Sequence, residues 1–204
     1  LMYHQHLGEI WREGDPVPET TLVVTVQEKK RAKRRTEHEG ISQDYVVMVP
    51  GAAWARKQWS SKKYARLAHL LKESQDLDTI LLGNIKDKIC YEVEEEAPAV
   101  LNLAGKTDLR QALAILANSR RVVGSDTGLV HAAEALNVPV SMILGPTSKE
   151  TGGGIILSKS RNIENAGLWC RPCSQNGKRP CYRSRQVCME SITVEQVYNT
   201  FPGK

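Results

Sequence analysis

The sequence predicts an α/β protein: one Rossmann-like parallel sheet with helices on both faces. From residue 45 onward, short apolar runs typical of buried strands alternate with amphipathic segments of helical spacing. Glycine, proline or capping residues stand between most of these segments. Strands that alternate with helices in this way favour right-handed crossover connections and hence a parallel sheet.

The first strand is Tyr45-Val46-Val47-Met48-Val49, a continuous apolar run stopped by Pro50-Gly51. Such a run is expected of a strand that is buried on both faces. The next helix begins at Ser60-Ser61, which can cap it. Its buried face is predicted from residues at helical spacing: Tyr64, Leu67, Ala68 and Leu71.

The later elements follow the same rhythm, with strands predicted at 79–82, 100–103, 121–123 and 138–144. Helices are predicted at 86–96, from Asp108 onward, at 128–136 and at 192–201. The helix after Asp108 is expected to bury Leu109, Ala112, Leu113, Leu116 and Ala117. The helix at 128–136 is expected to pack Leu129, Ala132, Ala133 and Leu136 on the sheet.

Residues 1–44 form a separate predicted segment: a helix over 1–14, a Pro-broken linker, a short strand at Leu22-Val23-Val24 and a charged helix to about Glu39. We interpret this segment as a linker from a preceding domain, and residues 45–204 as the Rossmann-like domain. The first residue is Leu rather than Met, so we expect the chain to be an excerpt of a longer protein.

Composition limits the class of protein. The chain has 204 residues, 41% hydrophobic and 25% charged, which is ordinary for a soluble globular domain. We expect no signal peptide and no membrane span, because no apolar run is long enough to cross a bilayer. The net charge of +5 is concentrated at residues 29–35, which we interpret as the solvated face of a helix. That run lacks the interleaved aromatics of a nucleic-acid platform.

An anion site is predicted at Gly124-Ser125-Asp126-Thr127-Gly128, where a buried strand turns into a helix. The start of a helix offers free backbone N–H groups and the positive end of a dipole, which suit a phosphate. Gly128 carries no side chain that would block close approach, and His131 lies one turn further on, within reach of the same anion. The alternative is a turn in which Asp126 or Thr127 merely caps the helix.

Two further loops lie at the carboxyl ends of predicted strands, where ligands bind in open parallel sheets. The loop at 50–59 carries Lys57, a point charge suited to a diphosphate, and Trp59, which we expect to be structural. The alternative is an exposed basic loop. Gly105-Lys106-Thr107 resembles only half of a phosphate-binding loop, and the region of Gly83 has one glycine where a nicotinamide site needs three.

Together these loops resemble the C-terminal domain of glycosyltransferase family 9, the lipopolysaccharide heptosyltransferases. The resemblance covers about residues 45 to 200, with the motifs in the family's order. The matching stretches are Pro50-Gly51-Ala52, Lys57-Gln58-Trp59, residues 102–107, residues 124–133 and Gly145-Pro146-Thr147. The sequence departs from the family at Ala52 and Ala53, where relatives often carry a hydroxyl or a charge.

The resemblance implies the C-terminal half of a GT-B fold, in which two Rossmann-like domains face a cleft and the C-terminal one holds a nucleotide-sugar donor. The donor-binding residues that it implies are Lys57, Thr107, Asp126, Thr127, Gly128 and His131. The catalytic base and the acceptor site would lie on the N-terminal domain, so this segment alone is expected to bind donor without turnover. The acidic residue after the second strand is not assigned, although Asp87 is the nearest candidate.

Individual roles are implied by the same resemblance. Lys57 would contact donor phosphate, Thr127 and Gly128 would lie at the diphosphate, and Asp126 would lie toward the sugar. Thr107 would lie in the loop that lines the nucleoside pocket. The donor would be of the ADP-heptose type, and transfer would proceed with inversion to a lipopolysaccharide-core or other glycolipid acceptor.

Four of the five cysteines cluster near the end of the chain: Cys170, Cys173, Cys181 and Cys188. Four thiolates with one close pair can bind Zn²⁺, although the second pair is spread too widely for a standard zinc ribbon. The alternative is a set of thiols or disulfides that staples a loop. Cys90 lies apart in a predicted helix and is interpreted as a small core residue.

The leading hypothesis is therefore the donor half of an inverting glycosyltransferase that needs no cofactor for transfer, with a structural zinc ion as an open question. From the family we expect a cytoplasmic location at the inner face of the inner membrane, with peripheral membrane contact and no nucleic-acid partner. The alternatives are a basic zinc-bearing module that binds nucleic acid through residues 170–188, and a GT-B-like sugar-nucleotide epimerase.

Overall fold

The computed structural model describes residues 20–41 and 44–201. The helix predicted over residues 1–14 lies outside these residues. The strands are β1 Tyr45–Val49, β2 Asp78–Leu81, β3 Leu101–Asn102, β4 Arg121–Ser125, β5 Val140–Leu144 and β6 Arg161–Glu164. The helices are α1 Val26–His38, α2 Ser61–Gln75, α3 Lys88–Glu96, α4 Leu109–Asn118, α5 Gly128–Ala135, α6 Val187–Glu190 and α7 Val194–Tyr198.

The six strands form one parallel sheet in the order β3-β2-β1-β4-β5-β6. Val47 in the middle of β1 is in register with Ile80 of β2 on one side and with Val122 of β4 on the other. The chain order reverses between β1 and β4, which makes their carboxyl ends the topological switch point where ligands bind in such folds. The predicted doubly wound sheet is confirmed.

Helices cover both faces of the sheet, as predicted. One face packs against α2, α3, α6 and α7 and holds Val46, Met48 and Val123 in its core. The other packs against α1, α4 and α5 and holds Val47 and Val122. Alternate residues of β1 thus enter opposite layers, and all five of them are buried, which explains the continuous apolar run in the sequence.

Two strand predictions were wrong. No strand forms at Leu22-Val23-Val24; instead the Leu22 amide donates to the carbonyl of Ala135 at the end of α5, at 2.8 Å. The edge strand β6 was not predicted, because Ile163 is the only one of its four side chains that is fully buried. An edge strand with so little apolar surface carries no strand signal in the sequence.

Several helix details also differ from prediction. Leu109 is 66% exposed rather than buried, since it is the first residue of α4 and lies at the open end of the sheet. In α5 the fully buried side chains are Val130 and Ala133, whereas Leu129, Ala132 and Leu136 are half-buried at the edge of the core. The closing helix predicted over 192–201 is the shorter α7, which begins after Thr193, an extended residue that caps it. Helix α6 was not predicted.

The predicted charged helix is α1, which packs on α4. Arg110 donates to both carboxylate oxygens of Glu28, each at 2.7 Å, and Arg35 donates to the carbonyl of Lys106 at 2.6 Å. The remaining basic side chains of residues 29–34 are exposed, so the interpretation of a solvated helix face is confirmed. The domain boundary at residue 44 stays a prediction. In the part of the chain that the structure describes, no helix is both long enough and apolar enough to cross a bilayer.

Candidate functional site

The candidate site lies at the switch point, at the carboxyl ends of β1 and β4. The loop after β1 ends in a short 3-10 turn, Ala55–Lys57, which carries Lys57. The loop after β4 carries Asp126 and Thr127, and α5 begins directly afterwards at Gly128. Because β1 and β4 are neighbours in the sheet, residues that are far apart in sequence meet here.

Lys57, Asp126 and His131 form one connected polar group. The Lys57 Nζ donates to Asp126 Oδ2 at 3.0 Å, and His131 Nε2 lies 2.9 Å from Asp126 Oδ1. The side chains of Lys57 and Asp126 are only 12% and 13% exposed, whereas that of His131 is 37% exposed. The carboxylate is therefore fixed by two donors, and the group has a solvent-facing side at His131.

The pKa of Asp126 reports this arrangement. Burial raises the pKa, but the hydrogen bonds from His131 and Lys57 and their charges together outweigh burial and lower it from 3.8 to about 2. Asp126 is consequently ionised at neutral pH, and it accepts hydrogen bonds rather than donating them.

A pH-dependent contribution to stability follows from this shift. A lowered pKa in the folded state stabilises the protein above the unfolded pKa of about 4, and this contribution is lost as the pH falls toward 2. We expect wild type to exceed Asp126→Asn in unfolding free energy by about 2 kcal/mol at pH 6 and by much less near pH 2.5. Urea denaturation across this pH range measures the difference. A difference between wild type and Asp126→Asn that is independent of pH would contradict the assignment.

The start of α5 leaves donors free for a ligand. Thr127 is the N-cap residue, but its side chain makes no capping hydrogen bond. Among the described residues, Thr127 Oγ1 is one of the buried side-chain oxygens that have no hydrogen-bond partner. Asp126 is held by Lys57 and His131 and does not cap the helix either. The alternative interpretation of this turn as a simple cap is therefore not supported, and the first N–H groups of the helix stay available for an anion.

The two glycines of the turn are there for different reasons. A Cβ on Gly124 would lie 2.6 Å from Val130 Cγ2 and 2.9 Å from the carbonyl oxygen of Val49, so Gly124 permits close packing of β4 against α5 and β1. A Cβ on Gly128 would meet nothing within 4 Å. Packing against the described residues therefore requires glycine at position 124. Packing does not require glycine at position 128, where the missing side chain leaves open space at the start of α5.

Thr107 and Asp87 lie further along the same edge of the sheet. Thr107 lies in the loop after β3, which is separated from β4 by β2 and β1, so the ends of β3 and β4 are about 14 Å apart at normal strand spacing. Asp87 lies between these ends, after β2. Its carboxylate accepts from the amide of Asn84 at 2.6 Å and fills the space where a Cβ on Gly51 would be, 2.4 Å from Oδ2.

The sequence reasoning assigned no site role to the residues that close the site from the β5 side. A Cβ on Gly153 would lie 3.3 Å from Asp126 Oδ2 and 3.3 Å from Thr147 Oγ1, so the 152–154 glycine turn lies against the carboxylate. Thr147 is buried, and its hydroxyl has no partner among the described residues. Three successive glycines after a strand were the available signal for close approach of backbone to the site.

The cysteine-rich segment forms another wall of the site. Gly177 has a φ of +82°, and a Cβ there would lie 2.5 Å from Lys57 Cγ, so this loop covers the lysine stem. The amides of Cys173 and Ser174 both donate to the carbonyl of Pro146, which holds the loop in place. This arrangement agrees with the expectation of a structural element.

The thiols themselves form no metal centre in the described part of the chain, where no three His, Cys, Asp or Glu side chains are placed to hold an ion. A zinc site at Cys170, Cys173, Cys181 and Cys188, which the sequence left as an open question, is therefore not supported, and all four are free thiols. Burial raises the pKa of Cys173 and Cys188, and neighbouring thiols add to the effect. Cys90 is a buried core residue of α3, as predicted.

Trp59 is structural, as predicted. It is almost fully buried and packs edge-on against Tyr64, with ring centroids 5.0 Å apart. Its Nε1 donates to the carbonyl of Ile192 at 3.1 Å. This anchor fixes the far end of the loop that carries Lys57.

Comparison with known proteins identifies relatives of this chain in sequence and in fold. The family model described as glycosyltransferase family 9 (heptosyltransferase) matches residues 4–182. The lipooligosaccharide heptosyltransferase 2 of Haemophilus influenzae is 32% identical over 150 residues, which is 68% of this chain and 43% of that protein. The chain thus matches less than half the length of this curated relative.

Solved structures share the fold. The Escherichia coli ADP-heptose lipopolysaccharide heptosyltransferase II superposes with a TM-score of 0.76 and 25% identity, over 98% of this chain and 60% of that one. A family 9 glycosyl transferase from Veillonella parvula gives a TM-score of 0.72 at 17% identity, over 91% of this chain and 54% of that one.

Proposed function

Because this chain belongs to glycosyltransferase family 9, we propose that it provides the donor-binding half of a heptosyltransferase-like enzyme that holds an ADP-heptose-type nucleotide sugar. One observation carries the proposal. A lysine, a fixed carboxylate and an uncapped helix N-terminus meet at the switch point of a parallel sheet. The relatives whose names include heptose supply the sugar class.

The donor extends along the carboxyl edge of the sheet in this proposal. Its diphosphate lies between Lys57 and the first turn of α5, where Thr127 and Gly128 leave room and unused donors. The sugar hydroxyls lie toward Asp126, and His131 completes the same pocket. The nucleoside lies in the other direction, toward Thr107, across a span of about 14 Å.

The chemistry proposed is inverting transfer, in which an acceptor hydroxyl attacks the anomeric carbon directly and the nucleoside diphosphate leaves. The carboxylate of Asp126 is engaged by Lys57 and His131, so it orients substrate rather than accepting a proton. The base and the binding site for a lipopolysaccharide-core or other glycolipid acceptor belong to a second domain. No cofactor is required for this transfer, and the half described here alone would be inactive.

We place the enzyme in the cytoplasm at the inner face of the inner membrane, because its relatives are named for lipopolysaccharide or lipooligosaccharide. The nucleic-acid-binding and epimerase alternatives are not proposed. The nucleic-acid-binding alternative depended on a zinc site, which the described residues do not form. The epimerase alternative needs an acid–base pair of side chains, and the sequence offers no convincing pair.

A thermal-shift experiment tests the proposal. A donor at a hundred times its dissociation constant stabilises the folded state by about 2.7 kcal/mol, which for a chain of this size raises Tm by about 5–10 °C. ADP-heptose is expected to give this shift. Gly128→Ala should leave the Tm of the free protein unchanged or slightly higher, yet reduce the shift severalfold, because its methyl group occupies the approach to the diphosphate.

Two comparisons sharpen the experiment. Ala132→Gly alters the same helix at a half-buried position away from its N-terminus. Measured from the Tm of the free variant, the rise caused by the donor should be as large as in wild type. ADP, UDP-sugars and GDP-sugars, each tested alone, rank the nucleotide preference. Absence of a shift with every nucleotide sugar would refute donor binding, and an undiminished shift in Gly128→Ala would refute the placement of the diphosphate.

A further inference from the structure

Three separate contacts pair aromatic with basic side chains on a surface beside the donor site. Six residues form this surface, which we call the rim patch: Trp54, Trp169, Lys178, Arg179, Tyr182 and Arg183. Lys178 Nζ lies 5.6 Å from the ring centroid of Trp54, and the guanidinium of Arg183 lies 5.4 Å from that of Trp169. The third contact lies between Lys178 and Arg183 in the sequence: Arg179 donates to the hydroxyl of Tyr182 at 3.4 Å.

Two of the three aromatic members of the rim patch are highly exposed. Trp169 is 78% exposed and Tyr182 is 62% exposed, whereas Trp59 in the same protein is almost completely buried. A tryptophan that leaves most of its ring in water gains little from the fold of its own chain. These rings are therefore available to an external partner.

The segment that carries five of the six residues of the rim patch has charge of one sign. Residues 165–189 contain five basic residues and no acidic one. Arg171 is buried and Arg185 pairs with Glu190, which leaves Lys178, Arg179 and Arg183 as the cations of the rim patch. A partner that complements this surface carries negative charge next to an apolar or interfacial layer.

We propose that the rim patch docks the protein on an anionic lipid bilayer. Tryptophan and tyrosine favour the boundary between headgroups and acyl chains, where one end of the ring is apolar and the other is wet. Lysine and arginine beside them contact lipid phosphates. The patch thus has the two components of peripheral membrane binding, insertion and charge.

The geometry favours a bilayer over a nucleic acid. Stacking on bases requires open ring faces, but one face of Trp54 is covered by Lys178 and one face of Trp169 by Arg183. Cations in these positions would accompany the rings into a headgroup layer. The surface also adjoins the donor site, because the loop that carries Lys178 includes Gly177, which packs on Lys57.

This inference rests on the proposed function, which places the enzyme at the inner face of the inner membrane. The rim patch is the surface through which that contact would be made. Docking through the rim patch would hold the donor site next to the bilayer that contains a lipid-linked acceptor. Vesicle binding needs no donor, however, so it can be measured independently of the donor-dependent thermal shift.

Flotation of the full chain with lipid vesicles provides the test. Phosphatidylcholine vesicles that contain phosphatidylglycerol should bind the protein, and pure phosphatidylcholine vesicles should bind it far more weakly. The double variant Lys178→Gln/Arg179→Gln is expected to lower partitioning about 25-fold, since each cation near an anionic surface contributes about fivefold. Trp169→Ala/Tyr182→Ala leaves the charge unchanged and should lower partitioning about tenfold or more.

A matched control separates the rim patch from general basicity. Lys30→Gln/Arg34→Gln removes the same charge from exposed positions on α1, and it should lower partitioning by only a few-fold. An equal loss in the two charge variants would overturn the proposal, as would absence of binding to anionic vesicles. Displacement of the protein from vesicles by a single-stranded oligonucleotide that it binds more tightly would also overturn it, in favour of a nucleic-acid surface.

Discussion

Replacing Lys57 by alanine is expected to lower donor affinity about a hundredfold, which is the largest effect on binding that the site predicts. A hydrogen bond between charged groups contributes about 1.5–3 kcal/mol, and Lys57 is the cation in direct contact with Asp126. Its removal also leaves the ionised carboxylate without its positive partner, so the carboxylate would repel an incoming diphosphate. Isothermal titration with ADP-heptose and with ADP measures the loss.

The control for this experiment is Lys62→Ala, which removes the same charge from an exposed position, the second residue of α2. It should bind donor like wild type. Lys57→Arg is expected to recover only part of the affinity, because Gly177 packs against the stem of this side chain and restricts a longer, planar one. Equal donor affinity in Lys57→Ala and wild type would mean that the diphosphate binds elsewhere. An equal loss of affinity in Lys62→Ala would mean that the loss comes from the change in net charge and not from the position of Lys57.

Much of the fold was predictable because its signals are local. The apolar run of β1 and the Gly124–Gly128 turn each depend on neighbours within about ten residues, and the sheet places such turns at one edge. Lys57 could be singled out because it follows a buried strand in a loop of small residues. Family motifs then ordered these loops, although each of them alone is weakly specific.

The contacts that complete the site were not predictable from local patterns. Lys57 and Asp126 are separated by 69 positions in the sequence, and their pairing depends on the register of β1 with β4. Leu109 looks like a core residue by periodicity, but its position at the start of α4 places it outside the packed layer. Arg171 looked like one cation of a basic segment, whereas the structure buries it.

The role of Arg171 leads to the largest stability effect that we expect. Its side chain is only 4% exposed and forms an ion pair with Glu164 at 2.8 Å. It also donates to three carbonyl groups: those of Gly145, Asn165 and Thr147. One guanidinium thereby joins the ends of β5 and β6 to the cysteine-rich segment. Arg171→Met should lower the unfolding free energy by about 3 kcal/mol, because it leaves the carboxylate and the carbonyls without their donor.

Urea denaturation of matched variants distinguishes this role from that of an ordinary surface ion pair. Arg66→Met breaks an exposed pair with Glu195 and should cost less than about 1 kcal/mol. The double variant Arg171→Met/Glu164→Gln should recover part of the loss, because the unpaired carboxylate is then neutral. If Arg171→Met cost no more than Arg66→Met, the guanidinium would not be what holds these strand ends. If the cost is as expected, donor affinity should fall as well, because Thr147 and the 152–154 turn lie against Asp126 and depend on the same strand ends.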